Sequence, residues 1–302
     1  MSGIKIFFAG NNERGIKCFE KLVSIGANIV GALAVDVKDE EDGYFRSIRE
    51  TVEKTDVELF HHQDTRNPGF ADYITIGQAA NLMILAGYPK IIKRDLFSRF
   101  QLGAMNLHAS PLPNFRGGSP LNWAIIEGQE HWGISIIDID DGIDTGDVIL
   151  QRNMNILHEW TIKETTDNVN DLYCDMLVEL LDRIRKGTLE RKPQKDFHVP
   201  GSFYTKRKPE DGIIRFHKMN KIKIYNTVRA LTSPYPGAFA YYKGEKVPIW
   251  KADLLDGECY RGIPGRVAER RGKDIIVICI RGGVLLKNMP KKIKVGTDFD
   301  RI

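Results

Sequence analysis

IKIFFAG, residues 4–10, is a short apolar run that stops at Gly10 and gives way to the polar loop Asn11-Asn12-Glu13-Arg14-Gly15. Cys18, Phe19, Leu22 and Ile25 then recur at helical spacing, and a second apolar run extends from Asn28 to Val35 before Asp36 ends it. Two buried runs around an amphipathic helix predict a β-α-β unit, and a crossover of that kind joins parallel strands. The rhythm continues with strand-like stretches at 57–61 and 82–87 and helical ones near 44–54, 67–79 and 91–98. Such alternation predicts a doubly wound α/β domain, whose ligands gather outside the carboxyl ends of its strands. The first loop lacks the complete G-x-G-x-x-G pattern and Asp36 is a lone acid, so a dinucleotide site is not expected.

The chain around this unit has an ordinary composition: 302 residues, 42% hydrophobic, 28% charged, net charge +4. The apolar content is too high for disorder, and no apolar run approaches the ~20 residues that span a bilayer. The opening MSGIKIFFAG enters its strand with no cleavable signal pattern, so a cytoplasmic protein without a membrane partner is expected. Cys18, Cys174, Cys259 and Cys279 are far apart and form no CxxC pair, so they read as reduced, mostly buried thiols. The net charge averages two unequal parts. Residues 1–189 hold 19 Lys and Arg against 28 Asp and Glu, a net −9, and residues 190–302 hold 25 against 12, a net +13. A basic C-terminal third raises nucleic acid or a phosphate-bearing ligand as a partner, and a solvated basic surface accounts for it equally well.

Thr165 to Gly187 reads as a long helix, with Leu172, Met176, Leu177, Leu180, Leu181 and Ile184 on one side and Gly187 as its stop. Residues 190–212 are rich in Lys, Arg, Pro and Gly and read as a linker. A helix near 218–231 follows, then short strand-like runs at 238–242, 246–254, 265–269, 275–280 and 284–287, whose Gly-rich turns predict a small β-barrel. The expected division is 1–189 for the catalytic α/β domain, 190–212 for the linker and 213–302 for the barrel.

Residues 103–151 carry the chemistry. Asn106 and His108 are two apart on an apolar strand and share a face, so an amide and an imidazole converge where a developing oxyanion and a proton can be managed. Pro111, Pro113, Gly117 and Gly118 then shape a rigid loop. On these residues alone, an Asn and a His that merely satisfy each other at a strand end stay an open reading. Asp141-Gly142-Ile143-Asp144-Thr145-Gly146-Asp147 crowds three acids and two glycines into seven residues without the spacing of a calcium loop. Such carboxylates repel unless one has a partner, and Asp144 beside His108 would orient the imidazole and raise its basicity.

Asn106-x-His108, Pro111-Leu112-Pro113-x-x-Arg116-Gly117 and Asp141-Gly142-x-Asp144-Thr145-Gly146, in that order and spacing, resemble the signature of the formyltransferases that use 10-formyltetrahydrofolate. Ala109 and Pro111 depart from the common His-Pro-Ser-Leu-Leu-Pro form of the loop, which touches its packing more than its chemistry. The resemblance implies a Rossmann-like parallel sheet followed by an OB-like barrel, and direct formyl transfer to an amine without a metal. It also implies that Asn106 and His108 stabilise an oxyanion, and that His108 or Asp144 accepts the proton of the attacking amine. Leu85-Ala86-Gly87-Tyr88, with Asp141, would hold the donor. His61 and His62 read as a surface or strand-end pair rather than metal ligands.

The branches of that family differ in the amine. Glycinamide ribonucleotide enzymes lack a second domain, and the residues after 189 count against them. Methionyl-tRNA formyltransferases and N-formyltransferases of nucleotide-linked amino sugars both share the whole layout, including counterparts of Val228-Arg229-Ala230 and Pro236-Gly237-Ala238. Where the tRNA branch has a basic insertion, this chain reads Asp36-Val37-Lys38-Asp39-Glu40-Glu41-Asp42, which repels a phosphate backbone. Pro120-Leu121-Asn122-Trp123 and Pro236-Gly237-Ala238-Phe239 look closer to the sugar branch. The expected acceptor is therefore a dTDP- or UDP-linked amino sugar, with methionyl-tRNA as runner-up. Asn11, Asn12 and Arg14 by the switch-point rule, and Tyr235 in the second domain, are candidates to hold it. A silent folate- or nucleotide-binding module is the reading of another class. A homodimer is kept open as the assembly.

Overall fold

Phe7 and Phe8 follow one another on the first strand, point to opposite faces, and each finds an aromatic layer. Phe7 meets Phe60, Phe70 and Phe100 at ring-centroid distances of 6.0, 6.1 and 6.2 Å, and Phe8 meets Phe19 at 5.6 Å. A strand apolar on both faces is buried on both, which is why its run is continuous rather than alternating. Burying one such ring contributes roughly 1.5–3 kcal/mol. The computed structural model describes residues 3–35, 46–256 and 259–301. The acidic stretch 36–42 lies outside the described residues.

In chain order the first elements are β1 (Ile6–Gly10), α1 (Asn12–Ser24), β2 (Ile29–Ala34), α2 (Arg49–Val52), β3 (Leu59–His61), α3 (Phe70–Asp72), β4 (Leu82–Ala86) and α4 (Arg94–Phe97). Next come β5 (Ala104–His108), β6 (Arg116–Gly117), α5 (Pro120–Ile126), β7 (His131–Asp138), β8 (Val148–Asn155), α6 (Ile162–Lys186) and β9 (Phe203–Tyr204). The last are α7 (Lys221–Leu231), β10 (Ala238–Tyr242), β11 (Glu245–Ile249), β12 (Ala252–Leu254), β13 (Val267–Arg271), β14 (Asp274–Cys279) and β15 (Gly282–Leu286).

The main sheet runs β3-β2-β1-β4-β5-β7-β8. Strands β1 to β5 are parallel to their neighbours, and β7 runs antiparallel to β5 with His108 opposite Ser135. The order of connection reverses between β1 and β4. The loops leaving those two strands, Asn11 onward and Gly87 onward, therefore flank the switch point, with the end of β5 beside them. Helix α1 starts hard against the sheet because Gly15 has no side chain: a Cβ there would lie 3.0 Å from the Ala86 oxygen and 3.1 Å from the Gly10 carbonyl carbon. Helix α6 stops at Gly187, whose φ of +67° lets its N–H reach Ile184 O and the Thr188 N–H reach Arg183 O.

Two compact units divide the chain: Met1–Gly117 with Gly133–Met154 and Asp167–Phe203, and Gly118–Trp132 with Asn155–Thr166 and Tyr204–Ile302. In the second, Asn220 caps α7 by accepting from the Lys223 N–H at 2.8 Å, and Asn122 of α5 donates to Ala230 O at 2.8 Å. The buried Arg229 donates to Asn226 Oδ1 and to the Trp160 carbonyl. Strands β10–β11 pair antiparallel, and β12-β15-β14-β13 form a second antiparallel sheet, in the region where the Gly-punctuated runs predicted β structure. Among the described residues no helix is long and apolar enough to cross a membrane.

Three expected helices are shorter than their patterns. The one near 44–54 is helical over Arg49–Val52, with residues 44 and 45 outside the described ones. The one over 67–79 starts only after Gly69, at φ +84°, and widens into a π turn over Tyr73–Gly77. The one over 91–98 is Arg94–Phe97. Asn67-Pro68-Gly69 and Pro89 hold the residues around them in turns and extended backbone, which periodicity counts do not register.

Candidate active site

Strand β5 delivers Asn106 and His108 to one face at its carboxyl end, and the loop between β7 and β8 brings Asp144 to meet them. Asn106 Nδ2 donates to Asp144 Oδ1 at 3.4 Å, His108 Nδ1 lies 3.4 Å from the same oxygen, and the Gly117 N–H donates to Asp144 Oδ2 at 2.9 Å. His108 Nε2 is 2.9 Å from the Phe115 carbonyl oxygen. A carbonyl only accepts, so the neutral ring carries its proton on Nε2 and leaves the Nδ1 lone pair on the Asp144 side. Burial holds the His108 pKa below the ordinary imidazole value; Asp144 and the Phe115 carbonyl oppose that shift, and Arg14 reinforces it. The result is a buried imidazole held toward its neutral form, its basic nitrogen facing the Asp144 carboxylate, next to an amide donor.

Both loops around the site are fixed from below. Ser135 Oγ donates to Ser110 O at 2.8 Å, and Gln151 Nε2 donates to Leu112 O at 2.9 Å, pinning the Pro111–Pro113 turn to the sheet. Gly146 admits no side chain, because a Cβ would sit 1.9 Å from the Asp138 carbonyl oxygen. The third support was not foreseen. Gln194, 5% exposed, accepts from the Arg116 guanidinium at 2.9 and 2.7 Å and donates to Asp144 O and Gly146 O, each at 2.8 Å. It lies in the stretch 190–212, read from its composition as a linker, where Lys192 also pairs with Val148. One side chain thus ties the loop after β5 to the loop that carries Asp144. Replacing Gln194 by Ala strands the buried Gly146 carbonyl, the half-buried Asp144 carbonyl and a guanidinium, so a stability loss of about 1–3 kcal/mol is expected. A fall in turnover of roughly 10- to 100-fold should accompany it, as Asp144 loses its position. Denaturant melts and single-turnover rates measured on the same preparation check both numbers.

The other expected residues are placed as follows. Leu85 and Ala86 end β4 with buried side chains, Leu85 within the aromatic cluster against which Tyr88 and Ile139 pack. Gly87 turns at φ +65° where a Cβ would meet Asn12 Oδ1 at 2.5 Å, and Asn12 Nδ2 donates to Gly87 O at 3.2 Å. The Asn11 N–H reaches Ala86 O at 3.3 Å, so the loops after β1 and β4 are tied together at the switch point. Tyr88 Oη is 2.7 Å from His62 Nδ1, and burial pushes its phenol pKa upward. Asp141 is exposed and ion-paired with Arg94. Arg14 lies over the Tyr173 ring at 5.3 Å and donates to Asn170 Oδ1 at 3.4 Å and to Leu107 O at 3.5 Å, behind His108. Tyr235 belongs to the second unit, its N–H on Thr232 O at 3.1 Å. Among the described residues no group of three His, Cys, Asp or Glu could hold a metal ion.

An amide donor, a neutral buried imidazole and a carboxylate at one strand end suit the passage of an acyl carbon to an unprotonated nitrogen, on a Rossmann-like sheet. The chain belongs to the formyl transferase family: the model described as "Formyl transferase" matches residues 5–181, and "Formyl transferase, C-terminal domain" matches residues 206–299. It is 30% identical over 290 residues to the methionyl-tRNA formyltransferase of Ruminiclostridium cellulolyticum, covering 95% of this chain and 91% of that relative. With the methionyl-tRNA formyltransferase of Acetivibrio thermocellus it shares 31% over 290 residues, with the same coverage. Among solved structures it is similar in fold to the N-formyltransferase from Helicobacter canadensis in complex with folinic acid and dTDP-3-aminofucose. That likeness has a TM-score of 0.67 at 18% identity and covers 95% of this chain and 100% of that one. The sequence reading put the amino-sugar branch first, whereas these curated relatives carry the name of the tRNA branch.

Proposed function

We propose that the protein moves a formyl group from 10-formyltetrahydrofolate to a primary amine, and that the amine is the α-amino group of methionyl-tRNA. The shared position of Asn106, His108 and Asp144 supports the reaction class. Support for the acceptor comes from the near full-length match to methionyl-tRNA formyltransferases, and the net +13 of residues 190–302 suits a polyanion.

When bound, the folate supplies an activated formyl carbon. The residues present fit it: Tyr88 and Ile139, each partly buried, pack against the apolar cluster that includes Leu85, and Asp140 and Asp141 follow Ile139 in the chain, a set that would suit a flat ring with polar edges. His108 takes the proton of the incoming ammonium or amine on Nδ1, and its Nε2–H stays on Phe115 O. Asp144 then balances the imidazolium charge, while the Asn106 amide N–H donates to the oxygen on which negative charge grows. The two loops keep the three groups in register through Gln194.

A second reading keeps a nucleotide-linked amino sugar as acceptor, because five of the seven residues Asp36–Asp42 are acidic, which disfavours a tRNA backbone near them. The purified protein, given labelled 10-formyltetrahydrofolate, is offered methionyl-tRNA and, separately, dTDP- and UDP-linked 3-amino and 4-amino sugars. Formylmethionyl-tRNA is the expected product. A formylated sugar with untouched tRNA would move the assignment to the second reading.

A further inference from the structure

On α1, Lys17 takes the α6 acid Asp171 at 2.7 Å, whereas Arg14, one turn earlier, has no ion pair among the described residues. The Arg14 guanidinium lies over the Tyr173 ring at 5.3 Å and makes two long bonds. Its Nε donates to Asn170 Oδ1 at 3.4 Å and its Nη1 to Leu107 O at 3.5 Å. An arginine carries five N–H donors, and the rest of them here meet no acceptor among the described residues. The amide it touches is incomplete as well: Asn170 is 0% exposed, and its Nδ2 has no partner. Unmade donors at that depth are rare, because a buried polar group is costly without a partner. Oδ1 and Nδ2 are two arms of one planar amide, so a cation and an unspent donor stand side by side. Both belong to the first unit, and the Arg14 charge is felt by the His108 imidazole.

We propose that Arg14 and Asn170 hold a phosphate group of the acceptor, on the side of the sheet opposite the donor. Phe8 and Phe19 put α1 on one face, while Leu85, Tyr88 and Ile139 gather with Phe7 on the other. The end of β5 lies between them, and Arg14 reaches it at Leu107 O, next to His108. An acceptor anchored from the α1 side therefore brings its amine to the formyl carbon from across the donor. A guanidinium edge beside an amide NH₂ group suits phosphate oxygens. In methionyl-tRNA the methionine carboxyl is esterified, which leaves phosphate as that acceptor's anion. The inference rests on formyl transfer at this site and on neither choice of acceptor, since a nucleotide-linked amino sugar carries phosphates too.

The full chain, labelled with nitrogen-15, is titrated with inorganic phosphate while the Asn170 side-chain NH₂ resonance is followed, assigned by its loss in Asn170→Ser. A saturable shift is expected in the parent and none in Arg14→Ala. A parent resonance that phosphate does not move overturns the site without any variant having to fold. With 5′-AMP and dTDP in place of phosphate, tighter binding of AMP marks the terminal nucleotide of a tRNA as the source, and tighter binding of dTDP marks a sugar nucleotide. In turnover, Arg14→Ala should raise KM for the phosphate-bearing acceptor about 10- to 100-fold, the worth of a charge-assisted contact, with Arg14→Lys recovering part. KM for 10-formyltetrahydrofolate should hold, as should the slow formylation of methionine methyl ester or of the free amino sugar, which carry no phosphate. A rise in the donor KM alone overturns the proposal and puts the anion on the folate. A parent inert toward every amine that still shows the phosphate shift fails the functional reading and leaves the site standing.

Discussion

Replacing His108 by Ala should lower turnover by about 10²- to 10⁴-fold, the range expected when a positioned base is removed. The imidazole presents its Nδ1 lone pair because Nε2–H is spent on Phe115 O, which makes it the neutral base of the trio. Asn106 donates and Asp144 already accepts from Asn106 and the Gly117 N–H. The fold should survive. The variant loses the hydrogen bond between His108 and the Phe115 carbonyl, a cost of about 1–3 kcal/mol against the 5–15 that domains of this kind hold. Steady-state kinetics beside a thermal melt separate the two effects: kcat should collapse while KM for both substrates changes little. Residual activity within tenfold of the parent would show that His108 is not the proton acceptor. A parent protein inert toward every amine offered would instead favour the silent binding module.

The features that were legible in the sequence are those with a local period or a short motif. The run at Phe7 and Phe8 announces a strand buried on both faces, and Asn106-x-His108 announces a shared face because side chains on a strand alternate. Asp144 was legible through the crowding of acids around Gly142 and Gly146, whose missing side chains let the loop turn against Thr145 and Asp138, and through the Asp141-Gly142-x-Asp144-Thr145-Gly146 motif. Gln194 gave no signal. A single amide in a Lys- and Pro-rich stretch becomes decisive only when the fold sets it between Arg116 and the carbonyls of Asp144 and Gly146. The acceptor was read from the acidic segment 36–42 and from two Pro-containing motifs, whereas the near full-length relatives point to the tRNA branch. Local charge reports what one segment repels, not what the whole surface binds.

Asp144→Asn is the sharper experiment, because it changes charge and hydrogen-bonding character while keeping shape. Asp144 offers oxygens to Asn106 Nδ2 and Gly117 N, and its charge faces His108 Nδ1. An amide has one oxygen. If that oxygen keeps the Gly117 N–H, the new NH₂ group faces the Asn106 donor and the Nδ1 lone pair; it repels the first and occupies the second. Turnover should then fall about 10³-fold, within the span for a lost general base. The pH profile carries the more specific signature. Burial lowers the His108 pKa and Asp144 partly restores it, so removing the carboxylate charge lowers it further. A base with a lower pKa stays unprotonated to a lower pH, and the acid limb of kcat must shift toward acid as its ceiling drops. The parent and the variant are compared on one acceptor, so that the titration of the amine itself is common to both. A limb that stays in place or moves toward alkali would assign it to a group other than His108. A variant of Gln194, in which Asp144 keeps its charge but loses its seat, should drop the ceiling and leave the limb near its parent position.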